Sequence, residues 1–284
     1  MSNLLDWATA VMSPSPWALI VAILVTLLIP VILHQFVFHA SGLTTLPSIL
    51  VVGPSGSGKT SLLTMFERGT AATTHTSQTS IAVECSLPVD IKTHSNEFRS
   101  VNDPANEVHK KFLLIDTPGH GKLRHQALDQ ITKPQNLKGV IFVVDAAMLS
   151  AGDDGLRQTA DYLHDILLLL QKRMDGGKSP KALKQVPFLI AANKMDLFTA
   201  LPATLVKSNL ENEISKVRSS RSKGLLDSGI GMADSEDDDW LGEMGSKEFR
   251  FSQMEEFDIA IDIIGGSVLG SDSAEWFKWV VGKL

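Results

Sequence analysis

The sequence predicts an α/β protein of three layers, a mostly parallel sheet between helices, with one apolar helix ahead of it. Three observations carry this. The run "GPSGSGKTSL" directly follows the apolar stretch "SILVV"; strand-like and helix-like segments then alternate; and no Asp, Glu, Lys or Arg occurs from Trp7 to Gly58.

The charge-free stretch contains "WALIVAILVTLLIPVILHQFVF", Trp17 to Phe38. At ~1.5 Å per residue it reaches about 33 Å as a helix, against a hydrocarbon core of ~30 Å. Its apolar residues cover every face, unlike those of a core helix, and Pro30 is better tolerated in a bilayer than in water. No positive region precedes it and "FHA" is a poor cleavage site, so a signal anchor is expected rather than a cleaved signal peptide. The expected division is a tail at 1–16, a transmembrane helix at 17–38 and a domain at 43–284.

Gly53, four residues, Gly58, Lys59 and Thr60 fit G-x-x-x-x-G-K-[ST] without a mismatch. A loop that wraps a polyphosphate must turn successive N–H groups inward, which Gly53, Ser55, Gly56, Ser57 and Gly58 allow. Lys59 then faces the β- and γ-phosphates, the Thr60 hydroxyl binds Mg²⁺, and Ser61 continues a helix whose positive end faces the anion. Gly69 ends that helix. The fold class is therefore that of a P-loop NTPase.

"IAVECS" alternates and reads as an antiparallel edge strand. "FLLID" delivers Asp116 at a strand end, placed to hold Mg²⁺, and "TPGH" follows with Gly119 free to bring its N–H to a γ-phosphate. "GVIFVVDA" is a buried strand, and "GLRQTADYLHDILLLLQKRM" an amphipathic helix with a broad apolar face.

The next strand, "VPFLIAAN", runs into Asn193-Lys194-Met195-Asp196. A carboxylate accepts hydrogen bonds from both guanine N1–H and its exocyclic amino group, whereas adenine presents the opposite pattern. Asp196 therefore selects GTP and GDP over adenine nucleotides.

The net charge of −6 gives no basic field, so direct nucleic-acid binding is not expected. A single cysteine, Cys85, excludes an intramolecular disulfide and is assigned a strand position. No repeat of fixed period occurs. From about Phe198 to Lys247 the chain reads as a polar, then acidic insertion, ending "DSEDDDW". "SDSAEWFKWVVGKL" reads as a closing helix capped by Ser or Asp, with Trp276, Phe277 and Val280 packed on the sheet.

These boxes, in this order, resemble those of the small Ras-like GTPases. The apolar N-terminal segment, "TSQTSI", "DTPGH" and the late "WLG" and "FRFSQ" resemble the β-subunit family of the signal recognition particle receptor. The resemblance implies a GTP-binding subunit, single-pass in the endoplasmic reticulum membrane with its GTPase domain in the cytosol. It would hold a receptor α subunit there and, through it, serve the ribosome and signal recognition particle. It further implies that "TSQTSI" is the first switch, with Thr79 the candidate for Mg²⁺ and γ-phosphate and Thr73, Thr74 and Thr76 its rivals. His120 stands where many small GTPases carry a water-positioning Gln. The last base-binding box, often Ser-Ala-Lys, falls at Gly265-Gly266-Ser267, with Gly265 the candidate for a backbone contact. The alternative is a vesicle-coat GTPase of the Arf/Sar type, disfavoured by the apolar segment and the absence of an M-G start. Hydrolysis is expected to be slow, the chain serving as a GTP-loaded binding module.

Overall fold

The computed structural model describes residues 16–40, 46–86, 111–132, 136–150, 153–175, 185–228, 240–243, 245–270 and 273–284. The chain divides into two compact units, Met1–Thr45 and Leu46–Leu284.

In the first unit, α1 (Pro16–Ala40) is a helix of 25 residues with Pro30 inside it. Its side chains are described at 16–17 and 20–30, and all of these are exposed, Trp17, Ile23 and Leu27 more than half so. Among the described residues, no helix is long and apolar enough to cross a membrane.

In the second unit the elements are β1 (Ser48–Val52), α2 (Lys59–Arg68), β2 (Ile81–Ser86), β3 (Lys111–Asp116), α3 (Arg124–Thr132), β4 (Leu137–Asp145), α4 (Asp153–Asp175), β5 (Val186–Asn193), α5 (Ala203–Ser228), β6 (Ile259–Gly265) and α6 (Ala274–Lys283). Short 3₁₀ turns occupy Gly121–Leu123 and Phe251–Phe257. The sheet order is β2-β3-β1-β4-β5-β6. Only β2 runs antiparallel, at the edge expected for "IAVECS".

The strands β1, β4 and β5 are buried almost throughout, as their unbroken apolar sequences require of strands covered on both faces. Alternate residues supply two cores. On one face Leu50, Val52, Phe142, Val144, Phe188 and Ile190 pack with α3, α4 and α5. On the other, Ile49, Val51, Ile141, Val143, Leu189 and Ala191 pack with α2 and α6. Each such side chain contributes ~1.5–3 kcal/mol on full burial, so the sheet position is strongly determined. Trp276 and Val280 of α6 are fully buried, and Phe277 lies against Phe66 at a centroid distance of 4.0 Å. Cys85 is buried on β2.

The segment expected as an insertion divides. Much of it is α5, whose Val206, Leu210 and Ile214 are fully buried, so this helix belongs to the fold. The correction has a physical reason: apolar residues at intervals of four line one helical stripe, which a dominant polar composition conceals. The acidic residues 229–239 lie outside the described residues, as do 87–110.

After α5, the stretch around Trp240 is strapped to the domain by side chains. Arg218, only 3 % exposed, donates from Nη1 to Leu241 O at 3.0 Å and from Nη2 to Ser246 O, and lies 4.3 Å above the Trp240 ring. Gln171 of α4 donates to Trp240 O and accepts from Gly242 N. Burial pushes the Arg218 guanidinium down from its ordinary range.

Candidate nucleotide site

From β1 the chain order steps to β3 on one side and to β4 on the other, leaving a crevice beyond the carboxyl ends of the strands. The register pairs Val51 with Asp116, Asp145 with Asn193, and Ala192 with Gly265. The boxes read from the sequence therefore leave the sheet along one edge. They enclose a cavity of about 430 Å³, within the range of small-molecule sites. Ser55, Gly56, Gly58, Lys59, Thr60 and Ser61 line one end, and Asn193, Lys194 and Asp196 the other.

The phosphate loop joins β1 to α2. Gly58 has φ +98°, and a Cβ there would stand 2.3 Å from Asn193 Nδ2. A side chain at Gly119 would stand 2.5 Å from Lys59 Nζ and 2.6 Å from Ser55 N. Both positions need the missing Cβ so that backbone can close on the cavity. Gly53 sits at the end of β1 against Val143 O, Ser57 is buried, and the Ser57 Oγ has no hydrogen-bond partner. Gly69, at φ +74°, closes α2 with its N–H on Met65 O, as expected.

Lys59 Nζ donates to Pro54 O at 2.7 Å. Burial pushes its ammonium down to about 8, against the pull of the Asp116 carboxylate. Thr60 Oγ1 donates to Asp116 Oδ2 at 2.6 Å, while the buried Asp116 Oδ1 has no partner. Burial pushes the Asp116 carboxyl up; the hydrogen bond from Thr60 and the charge of Lys59 oppose it. A hydroxyl and a carboxylate in contact, with a carboxylate oxygen left unpaired, are the hard oxygen donors that Mg²⁺ takes when it also binds substrate phosphates. The orphaned oxygen and the close-fitting glycines fit a Mg²⁺-bound polyphosphate.

At the base end, Asn193 is held rigidly. Its Nδ2 donates to Ser57 O at 2.8 Å, and its Oδ1 accepts from Lys194 N at 2.8 Å and Val268 N at 3.0 Å. Lys194 adopts φ +65°, a left-handed conformation that costs a residue with a Cβ on the order of 1 kcal/mol or more. Its Nζ donates to Asp145 Oδ2 at 2.5 Å. Asp196 Oδ1 accepts from Ser267 Oγ at 2.5 Å.

Two sequence candidates, Gly265 and Thr79, stand outside the cavity lining. Gly265 is still in β6, and Gly266 N donates to Ala192 O, so the chain turns into the cavity only at Ser267. Ser267, Val268 and Leu269 form that wall. Thr79 is exposed and outside the lining, because Gln126 of α3 accepts from Ser80 N and donates to Gln78 O. Thr74, His75, Thr76 and Ser77 take that edge, with Thr74 Oγ1 3.1 Å from Ser61 Oγ. His120 is exposed beside Gly119, its Nδ1 accepting from Lys122 N at 3.3 Å. Sequence reasoning assigned no role to Val268, Leu269 or Asp145. Asp145 closes the quoted strand "GVIFVVDA", and its strand-end position was the available signal.

A phosphate loop, a Thr–Asp pair for a divalent ion and an Asn-Lys-x-Asp wall around one crevice define, on this six-stranded sheet, a nucleotide-binding protein of the small-GTPase class.

The comparisons with known proteins carry this further. The model of the family described as signal recognition particle receptor beta subunit matches residues 44–257, and the chain belongs to that family. The signal recognition particle receptor subunit beta of Saccharomyces cerevisiae is 30% identical over 241 residues, which cover 84% of each chain. Its Homo sapiens counterpart is 33% identical over 73% of this chain, but the match spans 64% of the human protein. Among solved structures, the SRb-GTP/SRX complex from Chaetomium thermophilum matches with a TM-score of 0.69 at 39% identity, covering 84% of this chain and 100% of that one. The SRb-GDP-Mg structure from the same organism matches at 0.60 and 43%, covering 84% and 98%.

Proposed function

We propose that the chain is the membrane-anchored, GTP-binding subunit of a signal recognition particle receptor, holding the receptor α subunit at the endoplasmic reticulum for co-translational targeting. The observation that carries this reading is the cavity in which Lys59 and Thr60, the latter hydrogen-bonded to Asp116, face Asn193, Lys194 and Asp196 across one crevice. It is supported by the relatives' solved forms, which are SRb with GTP and SRX, with GDP, and with GDP and Mg.

In this reading Lys59 and the N–H groups of 55–60 hold the β- and γ-phosphates. Thr60 and Asp116 hold Mg²⁺, and Asp196 accepts the two guanine donors. Mg²⁺ supplies charge neutralisation between the phosphates. Gly119 and the threonine loop, whose Thr74 and Thr76 line the cavity, engage the γ-phosphate state, so these loops report which nucleotide is bound and the α subunit reads them. His120 orients water for a slow hydrolysis. The bilayer anchor is assigned to the stretch 17–38, a role supported by its apolar sequence free of Asp, Glu, Lys and Arg, with the GTPase domain in the cytosol where the nucleotide is abundant.

The test is the full chain purified in detergent. Mass analysis of its bound nucleotide is expected to return GTP or GDP. Calorimetry with the α subunit is expected to give much tighter binding to fully GTP-loaded than to fully GDP-loaded protein. A hundredfold ratio corresponds to about 2.7 kcal/mol. Equal affinities remove the switch and leave the nucleotide site standing.

A further inference from the structure

The pairing of Asp145 with Asn193 across β4 and β5 sets two strand ends level, and the next residue, Lys194, sends its ammonium sideways onto Asp145. Asp145 uses both oxygens. Oδ2 accepts from Lys194 Nζ at 2.5 Å, and Oδ1 accepts from Ala147 N and Met148 N, each at 3.0 Å. It is therefore fixed by its own loop before it meets the lysine. The loop is fixed in turn, since Ala146 N donates to Asn193 O and Leu201 N to Ala146 O.

Lys194 and Asp196 are two residues apart, and both line the cavity. An ammonium on a four-carbon stem with no other partner would be drawn to the nearest carboxylate in the same cavity. Asp196 is that carboxylate. One of its oxygens already accepts from Ser267, so pairing with Lys194 would consume the acceptor capacity a base with two N–H donors needs.

Resting on the guanine reading above, we infer that Asp145 is a positioning residue for base recognition. It holds the Lys194 ammonium away from Asp196, keeps the lysine stem as a wall of the base end, and leaves Asp196 open to the base. The chemistry is local to that end, since Lys59 and Thr60 have their own partners, Pro54 O and Asp116.

The test uses the full chain in detergent, stripped of nucleotide, with GDP and inorganic pyrophosphate as separate calorimetric probes. Asp145→Asn keeps an oxygen for Ala147 and Met148 and sheds the charge. It is expected to weaken GDP about tenfold, the scale of one charge-assisted hydrogen bond, and to leave pyrophosphate affinity unchanged. In a Lys194→Met background, with no ammonium to restrain, the same substitution is expected to cost nothing further. Equal losses for GDP and pyrophosphate, an undiminished loss in the Lys194→Met background, or no loss at all each overturn the inference. Should Asp145→Asn not fold, Asp145→Thr, which also keeps an oxygen without the charge, takes its place with the same outcomes. An Asp196→Asn chain read in parallel separates the two levels. If its guanine preference is unchanged, the base pocket itself is wrongly read. If it switches base while Asp145→Asn binds GDP normally, only the positioning role fails.

Discussion

Thr60 Oγ1 lies 2.6 Å from Asp116 Oδ2, joining the first turn of α2 to the carboxyl end of β3 across 56 residues of chain. The contact brings two hard oxygen donors together and leaves Asp116 Oδ1 buried and unpaired.

The first prediction follows from that contact. If Thr60 and Asp116 hold the divalent ion, GDP dissociation from the unaltered chain accelerates when EDTA is added, because the positive charge that would offset the phosphates is withdrawn. In Thr60→Ala and in Asp116→Ala the two rates converge near the faster one. Stopped-flow release of a fluorescent GDP analogue with and without EDTA checks this, and a retained EDTA response in both variants counts against the pair.

Asp196→Asn is expected to shift preference from guanine to xanthine nucleotides, since the amide offers a donor where xanthine carries a carbonyl in place of guanine's amino group. Ser267 Oγ, which donates to Asp196 Oδ1, can still donate to the amide oxygen, so the pocket keeps its shape. Competition of GDP and XDP for the variant reads the switch.

Much of this was legible beforehand because the signals are local. A P-loop is a contiguous string whose glycines and lysine act within one turn, and the N-K-x-D tetrapeptide sits on a single strand end. A mostly parallel sheet with "IAVECS" antiparallel at its edge followed from unbroken apolar runs alternating with helices. What was hidden depends on neighbours distant in sequence. Gly265 was placed at the wall by analogy with a box, but pairing of β6 with β5 carries strand structure through that residue and delays the turn to Ser267. Thr79 stands apart because Gln126, 46 residues from Ser80, holds its flank. The stripe of Val206, Leu210 and Ile214 in α5 was masked by the polar residues around it.

Cys85 supplies a pH prediction. Burial, and the nearby Glu67 carboxylate, push its thiol up to about 11 from the ordinary 9.0. The folded state thus favours the neutral thiol. Its contribution to stability is fully present below the unfolded thiol's pKa, and is lost as pH rises from about 9 through 11. Alkylation by iodoacetamide at pH 8 is expected to be slow in the native chain and fast in urea. Equal rates would place Cys85 at an accessible, unshifted position.

Arg218→Met removes the donors to Leu241 O and Ser246 O while keeping much of the apolar stem. Leaving buried carbonyls unpaired costs about 2–3 kcal/mol, which lowers the Tm by several degrees for a domain of this size. Proteolysis near Trp240 is expected to accelerate, with GDP affinity unchanged because no strap residue lines the cavity. Differential scanning fluorimetry and limited trypsin digestion measure the two effects.

The three hydrogen bonds of the Asn193 amide reach Ser57 in the phosphate loop, Lys194 in its own loop and Val268 in the opposite wall. One small planar group is thus common property of both halves of the ligand, and its orientation has to satisfy them together. These bonds are in place with the crevice empty, so neither half of the ligand has to order the amide. A substitution that displaces it disturbs the phosphate loop and the base wall together.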